Sequence, residues 1–437
     1  MLGKKSAILF LAAFGLLFSL MTIAAPAFAA SKEKVLYSFC STQLCPDGAN
    51  PMAGLISDAA GNLYGTAYYG GNSNCIRGCG TVFQLTRANG KWKQKVLHHF
   101  ENDGKDGYYP AAGLIFDAAG NLYGTTSAGG ADQVGTVFEL MPEKDRKWKE
   151  KILHSFVSTS SDGWEPDATL VFDAAGNLYG TTNYGGTYQN YGTVFKLTPG
   201  ANGHWSEKVL HNFDWNGKDG YNPVAGLTLD SSGKLYGTTV VGGSTTNGTV
   251  FEMTRGKNGS WAEKVMYNFT GGSDGSLSNA GLVSDAAGSL YSTTVAGGDP
   301  QCYRGGGCGT VFKLTPDAKG NWTLTTLHMF EEKDGAFPGG GLIFDGAGNL
   351  YGVTNEGGAY KSGGCQNLGC GTVFELTPGS GGNWTENVLH SFNDNGVDGW
   401  EPDGGLITDA AGNLYGTTYW GGAYNYGTVF EIRPYNR

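Results

Sequence analysis

The chain has 437 residues, 74 of them glycine, with aromatics at 13%, charged residues at 16% and a formal net charge of -10. So many aromatics at so low a charge density exclude a disordered chain, and with no basic run present nucleic acid is not an expected partner. Glycine and aromatic residues recurring together point to a many-turned β fold.

Met1 to Ala29 reads as a secretory signal peptide. Lys4 and Lys5 form its charged start, Ala7 to Ala25 is apolar, and Ala27-Phe28-Ala29 is a small-x-small cleavage site. The apolar run approaches spanning length, but the cleavage site favours removal over anchoring. The expectation is a signal over 1–29 and one domain over 30–437. The product would be exported to the periplasm or the exterior, monomeric and free of the membrane.

Lys34-Val-Leu-Tyr-Ser-Phe39 follows as a lone strand candidate. After it comes a unit written most clearly as Asp117-Ala-Ala-Gly-Asn-Leu-Tyr-Gly-Thr-Thr126, then Gly129-Gly130, then Gly135-Thr-Val-Phe-Glu-Leu140. Related units start at Asp58, Asp173, Asp230, Asp285, Asp345 and Asp409, at spacings of 59, 56, 57, 55, 60 and 64 residues along the chain. Each period offers four strand candidates. In the second they are Gly113–Asp117, Asn121–Thr126, Gly135–Leu140 and Trp148–Phe156. All are short, rich in β-branched and aromatic residues, and bounded by turn formers. No segment of helical period lies between them.

The first strand, before Phe39, has the character of a fourth strand, and the last repeat stops after its third strand at Ile432. In a closed ring the orphan strand completes the last sheet, whereas an open solenoid would cap its ends. The expected fold is an all-β, seven-bladed β-propeller of four-stranded blades, with the last blade closed by the N-terminal strand. Antiparallel strands then put the tight Asp-Ala-Ala-Gly turns on one face and all the longer, varied loops on the other, the variable face.

On that face an Asp-Gly pair recurs seven times, at Asp47, Asp106, Asp162, Asp219, Asp274, Asp334 and Asp398. Repetition in every blade reads as turn chemistry. Aromatic-x-Pro follows in four copies, at Tyr108, Trp164, Tyr221 and Trp400. With Trp215 and Trp420 these are loop aromatics. Beside Glu165 and Glu401 they suit stacking on sugar rings, with wedging between blades as the competing role. Three loops, at Glu101–Asp106, Asp214–Asp219 and Asn393–Asp398, weakly resemble calcium ligand runs but lack a closing bidentate Glu. No cofactor is therefore expected, calcium being the possible exception.

The eight cysteines form four close pairs: Cys40/Cys45, Cys75/Cys79, Cys302/Cys308 and Cys365/Cys370. Three pairs stand just before Gly-Thr-Val-Phe, and the repeats without a pair have a shorter loop there. Cysteines that come and go in pairs in an exported chain read as disulfides, each stabilising by roughly 2 kcal/mol at best because the loops are small. Zinc is the weaker alternative, since no His lies close by in sequence.

His98, His154, His211, His328 and His390 share one register, which Tyr37 and Tyr267 fill in the other copies. That repetition reads as a packed ring with a satisfied N–H. Gly271-Gly-Ser-Asp-Gly275 matches a nucleophile-elbow pattern on paper, but the required strand before it and helix after it are missing. A carboxylate pair for glycoside cleavage could come from Glu165, Glu356 and Glu401, none of which repeats in every blade.

The run Gly-Asn-Leu-Tyr-Gly-Thr-Thr, then Gly-Gly, then Gly-Thr-Val-Phe-Glu-Leu-Thr-Pro resembles the GloVer tandem-repeat family of exported bacterial proteins, from about Val35 to Pro434. The resemblance implies secretion or surface display and transfers no catalytic residue. Members often end in an anchoring module, which this chain lacks, so a released protein is expected. The leading expectation is a secreted, non-catalytic propeller binding a glycan or a surface protein through Trp164, Glu165, Trp400, Glu401, Trp420, Tyr108 and Tyr221. A polysaccharide lyase or hydrolase, or a structural module of the cell envelope, is the alternative.

Overall fold

The computed structural model describes residues 32–159, 162–188, 191–361 and 363–434, so the expected signal over 1–29 lies outside the described residues. Seven four-stranded antiparallel sheets follow one another, each running first, second, third, fourth strand from one edge to the other. Blade 2 shows the pattern: Ile115–Phe116, Leu122–Thr126, Thr136–Pro142 and Trp148–Ser155. The seventh sheet takes Ile407–Thr408, Leu414–Thr418 and Thr428–Arg433 from the end of the chain and Lys32–Ser38 from its start. Val35 pairs with Phe430 and Ser38 with Thr428, so the ring closes through the N-terminal strand. No described helix is long and apolar enough to cross a membrane.

The innermost strand is much shorter than its five-residue sequence pattern, with two residues in every blade. Its lead-in runs beside the axis, where seven blades converge. A Cβ at Gly54 would stand 2.7 Å from the carbonyl oxygen of Gly405, and one at Gly226 would stand 2.9 Å from that of Thr169. Glycine permits that approach in most blades, while blade 3 carries Thr169 in the same register.

The Asp turns are held by their own side chains. Asp117 Oδ1 accepts the N–H groups of Ala119 (2.8 Å) and Asn121 (2.9 Å), and Oδ2 accepts Asn121 Nδ2 (2.8 Å) and the Tyr123 hydroxyl (3.2 Å). One carboxylate thus organises the turn and ties it to the second strand.

The core lies between blades. Each fourth strand ends in a Phe that meets the third-strand Phe of the next blade edge to face. Phe100 and Phe138 are 5.2 Å apart, Phe156 and Phe195 5.2 Å, and Phe39 and Phe83 5.0 Å across the closure. These rings are 0% exposed. A second-strand glycine makes room beneath six of the seven, with Ser292 in its place in blade 5: at Gly124 a Cβ would lie 2.6 Å from Phe138 Cζ. Closure buries the free edges that an open stack of blades would leave.

The expected cysteine pairs are all bonded: Cys40–Cys45, Cys75–Cys79, Cys302–Cys308 and Cys365–Cys370.

Candidate functional site: the axial cavity of the variable face

The repeated Asp-Gly pair does more than turn the chain. Asp106 Oδ2 accepts from His98 Nε2 (3.2 Å) and from the Glu101 N–H (3.0 Å), while Oδ1 accepts the Gly107 N–H (2.6 Å). His154–Asp162, His211–Asp219 and His390–Asp398 repeat the contact at 3.1, 3.0 and 3.0 Å, and the Tyr267 hydroxyl reaches Asp274 at 2.9 Å. The glycine is there for close packing. In blade 2 a Cβ on Gly107 would sit 2.1 Å from Thr126 Oγ1 and 2.5 Å from Thr136 Oγ1, two hydroxyls bonded to each other at 2.8 Å.

A partner from the next blade completes the cluster. Glu150 Oε1 lies 3.5 Å from His98 Nε2. Glu207, Glu263, Glu386 and Glu33 stand in the same way toward the pairs of His154, His211, His328 and His390. All five histidine seams carry this glutamate, whereas the tyrosine seams of Tyr37 and Tyr267 carry Gln94 and Leu324 in its register. Four of these sets bring His, Asp and Glu ligand atoms within 4.8 Å of one another. Burial, then the neighbouring aspartate, pushes Glu207 and Glu263 up to about 7. The seams are thus structural charge clusters on the outer strands, away from the axis.

The loops that weakly resemble calcium runs use their oxygens on their own backbone. Asp103 Oδ1 takes the N–H groups of Lys105 (2.8 Å) and Asp106 (2.9 Å), and Asn216 and Asn395 repeat the turn.

Of the loop aromatics, Trp400 corrects the expectation of an exposed platform. It is 7% exposed, packed in the core cluster between blades 6 and 7 and stacked on Trp420 with centroids 5.8 Å apart. The cause is a two-residue ribbon absent from the strand pattern. Gly399–Trp400 pairs with Trp420–Gly421, and equivalent ribbons hold Tyr108, Trp164 and Tyr221. Each ring lies over the Gly-Gly segment of its own blade; a Cβ on Gly185 would meet Trp164 Cδ1 at 2.5 Å. Trp164, Tyr108 and Tyr221 are half-buried, against Tyr184, Tyr109 and Tyr191 respectively. Trp215 is exposed, at 64%.

The register just after these aromatics was missed as a set. Asn50, Tyr109, Glu165, Asn222, Leu277, Phe337 and Glu401 occupy one place in the seven loops, and all seven have φ between 54° and 61°. Each hangs its N–H on the preceding blade: Tyr109 on the Cys79 carbonyl (2.9 Å), Glu165 on that of Val134 (2.9 Å), Glu401 on that of Cys370 (3.0 Å). Of the seven, Tyr109 and Glu165 line the axial cavity, while Asn50 and Asn222 donate Nδ2 to the carbonyls of Tyr419 and Asn183, both at 2.9 Å.

Two residues further on, Met52, Ala111, Asp167, Val224, Asn279, Gly339 and Asp403 contribute one side from every blade to a cavity of about 500 Å³. Tyr68, Tyr109, Ser127 and Glu165 complete its wall. The signal was available: this register varies in every blade, while the Ala or Gly and Leu residues beside it recur. Tyr68 and Tyr109 stack with centroids 5.0 Å apart. Burial pushes Asp167 up to about 7, with the charge of Glu165 adding to it. Burial, then Glu356 and Asp403, raise Glu401 to about 7. Asp403 is raised by burial too, against a hydrogen bond from Asn355 Nδ2 at 3.0 Å. So Glu165, Asp167 and Asp403 line the cavity, and Glu401 stands beside Asp403 and Glu356.

Trp420 faces a second hollow. A groove of about 950 Å³ between blades 7 and 1 is lined by the Cys40–Cys45 and Cys75–Cys79 loops, Tyr69, Arg77, Trp420, Tyr424 and Tyr426.

The sequence profile described as the Gloeobacter/Verrucomicrobia repeat matches residues 15–231 and 190–368 of this chain. No curated protein matches it. Among solved structures, a Lactobacillus plantarum protein is similar at 13% identity, over 78% of this chain and 85% of its own, with a TM-score of 0.45. A Dyadobacter fermentans protein of unknown function is similar at 9% identity, over 94% of this chain and 100% of its own, with a TM-score of 0.40.

Proposed function

Since this chain belongs to the Gloeobacter/Verrucomicrobia repeat family, its scaffold is shared and its function lies in what departs from the repeat; we propose that it is an exported, non-catalytic propeller that binds carbohydrate in the axial cavity. Four disulfides support an extracellular or periplasmic setting.

One observation carries the reading. Seven non-glycine residues take the left-handed conformation around a single mouth. That conformation costs an L-residue about 1 kcal/mol, and strain of this kind collects where side chains are needed for function. The same chain places glycine at left-handed positions throughout its turns, so glycine was the unstrained choice here as well. Of the side chains kept instead, Tyr109 and Glu165 line the cavity and Glu401 stands beside its Asp403; such groups suit the hydroxyls and C–H faces of a sugar. Glu165 lines this site and Glu401 stands beside its Asp403, whereas Trp420 lines the neighbouring groove. Tyr108, Trp164, Tyr221 and Trp400 support it from below.

The test is a glycan array on the chain from Ala30 onward, beside a Tyr109→Gly, Glu165→Gly, Glu401→Gly variant. Glycine relieves the strain, so the variant should melt no lower than the parent and lose glycan binding. A variant that binds the same glycans, or a parent that binds none, would sink the reading. After burial, Glu356 raises the proton affinity of Glu401, which favours glycoside cleavage as the second reading. Shortened products in the array's positive wells would move the assignment there.

A further inference from the structure

The axial cavity presents acceptors and acid groups with no cation to meet them. Neither Lys, Arg nor His lines it. Asp167 Oδ1 and Asn279 Oδ1 are sealed from solvent and have no hydrogen-bond partner, and Glu356 Oε2 at the rim is in the same state. Elsewhere an unpartnered buried carboxylate oxygen stands beside a seam histidine, as in Glu33, Glu150, Glu207, Glu263 and Glu386, whereas the cavity wall has no such side chain. The turn aspartates take their own backbone N–H groups, and the seam aspartates take histidine or tyrosine. A buried acceptor left without a donor costs about 1–3 kcal/mol. Two such groups in one cavity wall, Asp167 and Asn279, describe a site whose missing half is a donor.

Their placement limits what that donor can be. Asp167 leads into blade 3 and Asp403 into blade 7, so the two acids stand on opposing sides of the seven-membered ring. No three His, Cys, Asp or Glu ligand atoms of the cavity converge within 4.8 Å among the described residues; only seam sets do. A bare metal ion needs such convergence, whereas a cation carried on an extended molecule does not. An ammonium group offers three donors and no acceptor, the complement of this wall. Its bonds to carboxylates are charge-assisted. The Tyr68 and Tyr109 rings, stacked in the same wall, offer π faces to a cation.

We propose that the axial cavity selects a glycan bearing free, unacetylated amino groups, with an ammonium held at the Glu165–Asp167 side and a second at the Glu401–Asp403 side. The inference rests on the carbohydrate reading and narrows it to a basic sugar.

The test is titration calorimetry at pH 7 and low salt with three hexasaccharides: glucosamine, N-acetylglucosamine and neutral glucose. Removing one member of a buried charge pair costs upward of 2 kcal/mol, so the free-amine hexamer should bind at least about 30-fold more tightly than its acetylated counterpart. Asp167→Asn with Asp403→Asn keeps shape and should erase that preference without lowering the melting temperature. Equal binding of the amine and acetylated hexamers overturns the cation selection and leaves the carbohydrate reading standing. Amine-hexamer binding that survives the double variant overturns the cavity as the seat. Binding of hexalysine but of no sugar overturns both readings.

Discussion

Raising the pH from 5 to 9 should loosen five of the seven seams between blades. At each, a histidine on one fourth strand, an aspartate on the loop after it and a glutamate on the next blade's fourth strand meet. Each of these glutamates turns a buried Oε1 toward the cluster with no hydrogen-bond partner. Burial is the main cause that lifts Glu33, Glu207, Glu263 and Glu386 from 4.5 to about 7, with the seam aspartate adding to it and the histidine opposing it. Burial and Asp106 raise Glu150 in the same direction. The folded chain therefore holds these protons more tightly than the unfolded chain. The stabilisation is complete below about pH 4.5 and is lost as the pH climbs through 7. At full strength each such rise is worth about 3 kcal/mol. The carboxyls are partly open to solvent, and screening brings this to about 1 kcal/mol per seam, or about 5 kcal/mol for the ring. Asp167 and Glu401 on the axis act in the same sense.

The acid side has the opposite limb. Although burial works against it, hydrogen bonds from Asn62 and Tyr64 hold Asp58 below its ordinary value, and Asp173, Asp345 and Asp409 behave alike. Their contribution is present above about pH 4 and is lost as the pH falls through their lowered range. Stability should therefore peak near pH 5. Urea unfolding at pH 5, 7 and 9, on the parent and on Glu33→Gln, Glu150→Gln, Glu207→Gln, Glu263→Gln, Glu386→Gln together, measures it. Gln94 shows that the fold accepts glutamine at a seam, where its Nε2 bonds the Asp47 carbonyl at 2.9 Å. The parent should lose about 5 kcal/mol from pH 5 to 9, and the variant much less. A parent that is flat or gains stability over that range, or a variant with the parent's slope, would refute the proton-loaded seam.

Two further outcomes follow from packing and from the disulfides. Gly107→Ala should cost about 1–3 kcal/mol, because its Cβ would enter the bonded Thr126–Thr136 pair, while Gly120→Ala, with nothing within 4 Å and φ of +85°, should cost only the backbone strain of about 1 kcal/mol. Thermal melts that reverse this order would show that the Asp-Gly glycine serves the turn after all. Reducing the disulfides should leave the ring folded, at a cost of no more than about 2 kcal/mol per bridge. It should speed amide exchange at Tyr109, Phe337 and Glu401, whose N–H groups hang on the carbonyls of Cys79, Cys308 and Cys370. Glu165 and Asn222, bonded to Val134 and Tyr191, are the controls and should not change.

What was legible in the sequence was whatever repeats along the chain; what was not is distance from the axis. Seven periods and one strand out of place were enough for the ring and its closure, because strand count is a property of order alone. Trp400-Glu401-Pro402 shows the limit. Neighbouring residues of an extended segment face opposite ways, and nothing in those three letters says which one points inward. The ribbon with Trp420–Gly421 decides it: the ring is drawn down over a glycine floor, and Glu401 is turned to the mouth. Asp167 and Asp403 were hidden for the same reason. Each follows a proline in a register that its sister blades fill with Met, Ala, Val, Asn or Gly, and variation there looked like loose loop sequence. Ring geometry reverses that judgement. A residue repeated in all seven blades is bonded to its copy's neighbours and holds the scaffold, as the Asp-Gly pairs do at the seams. A residue that varies at the innermost register faces the axis, where all seven blades share one ligand, and one ligand has no sevenfold symmetry to repeat. The variable register nearest the axis is therefore where selection for binding can act without cost to the blades.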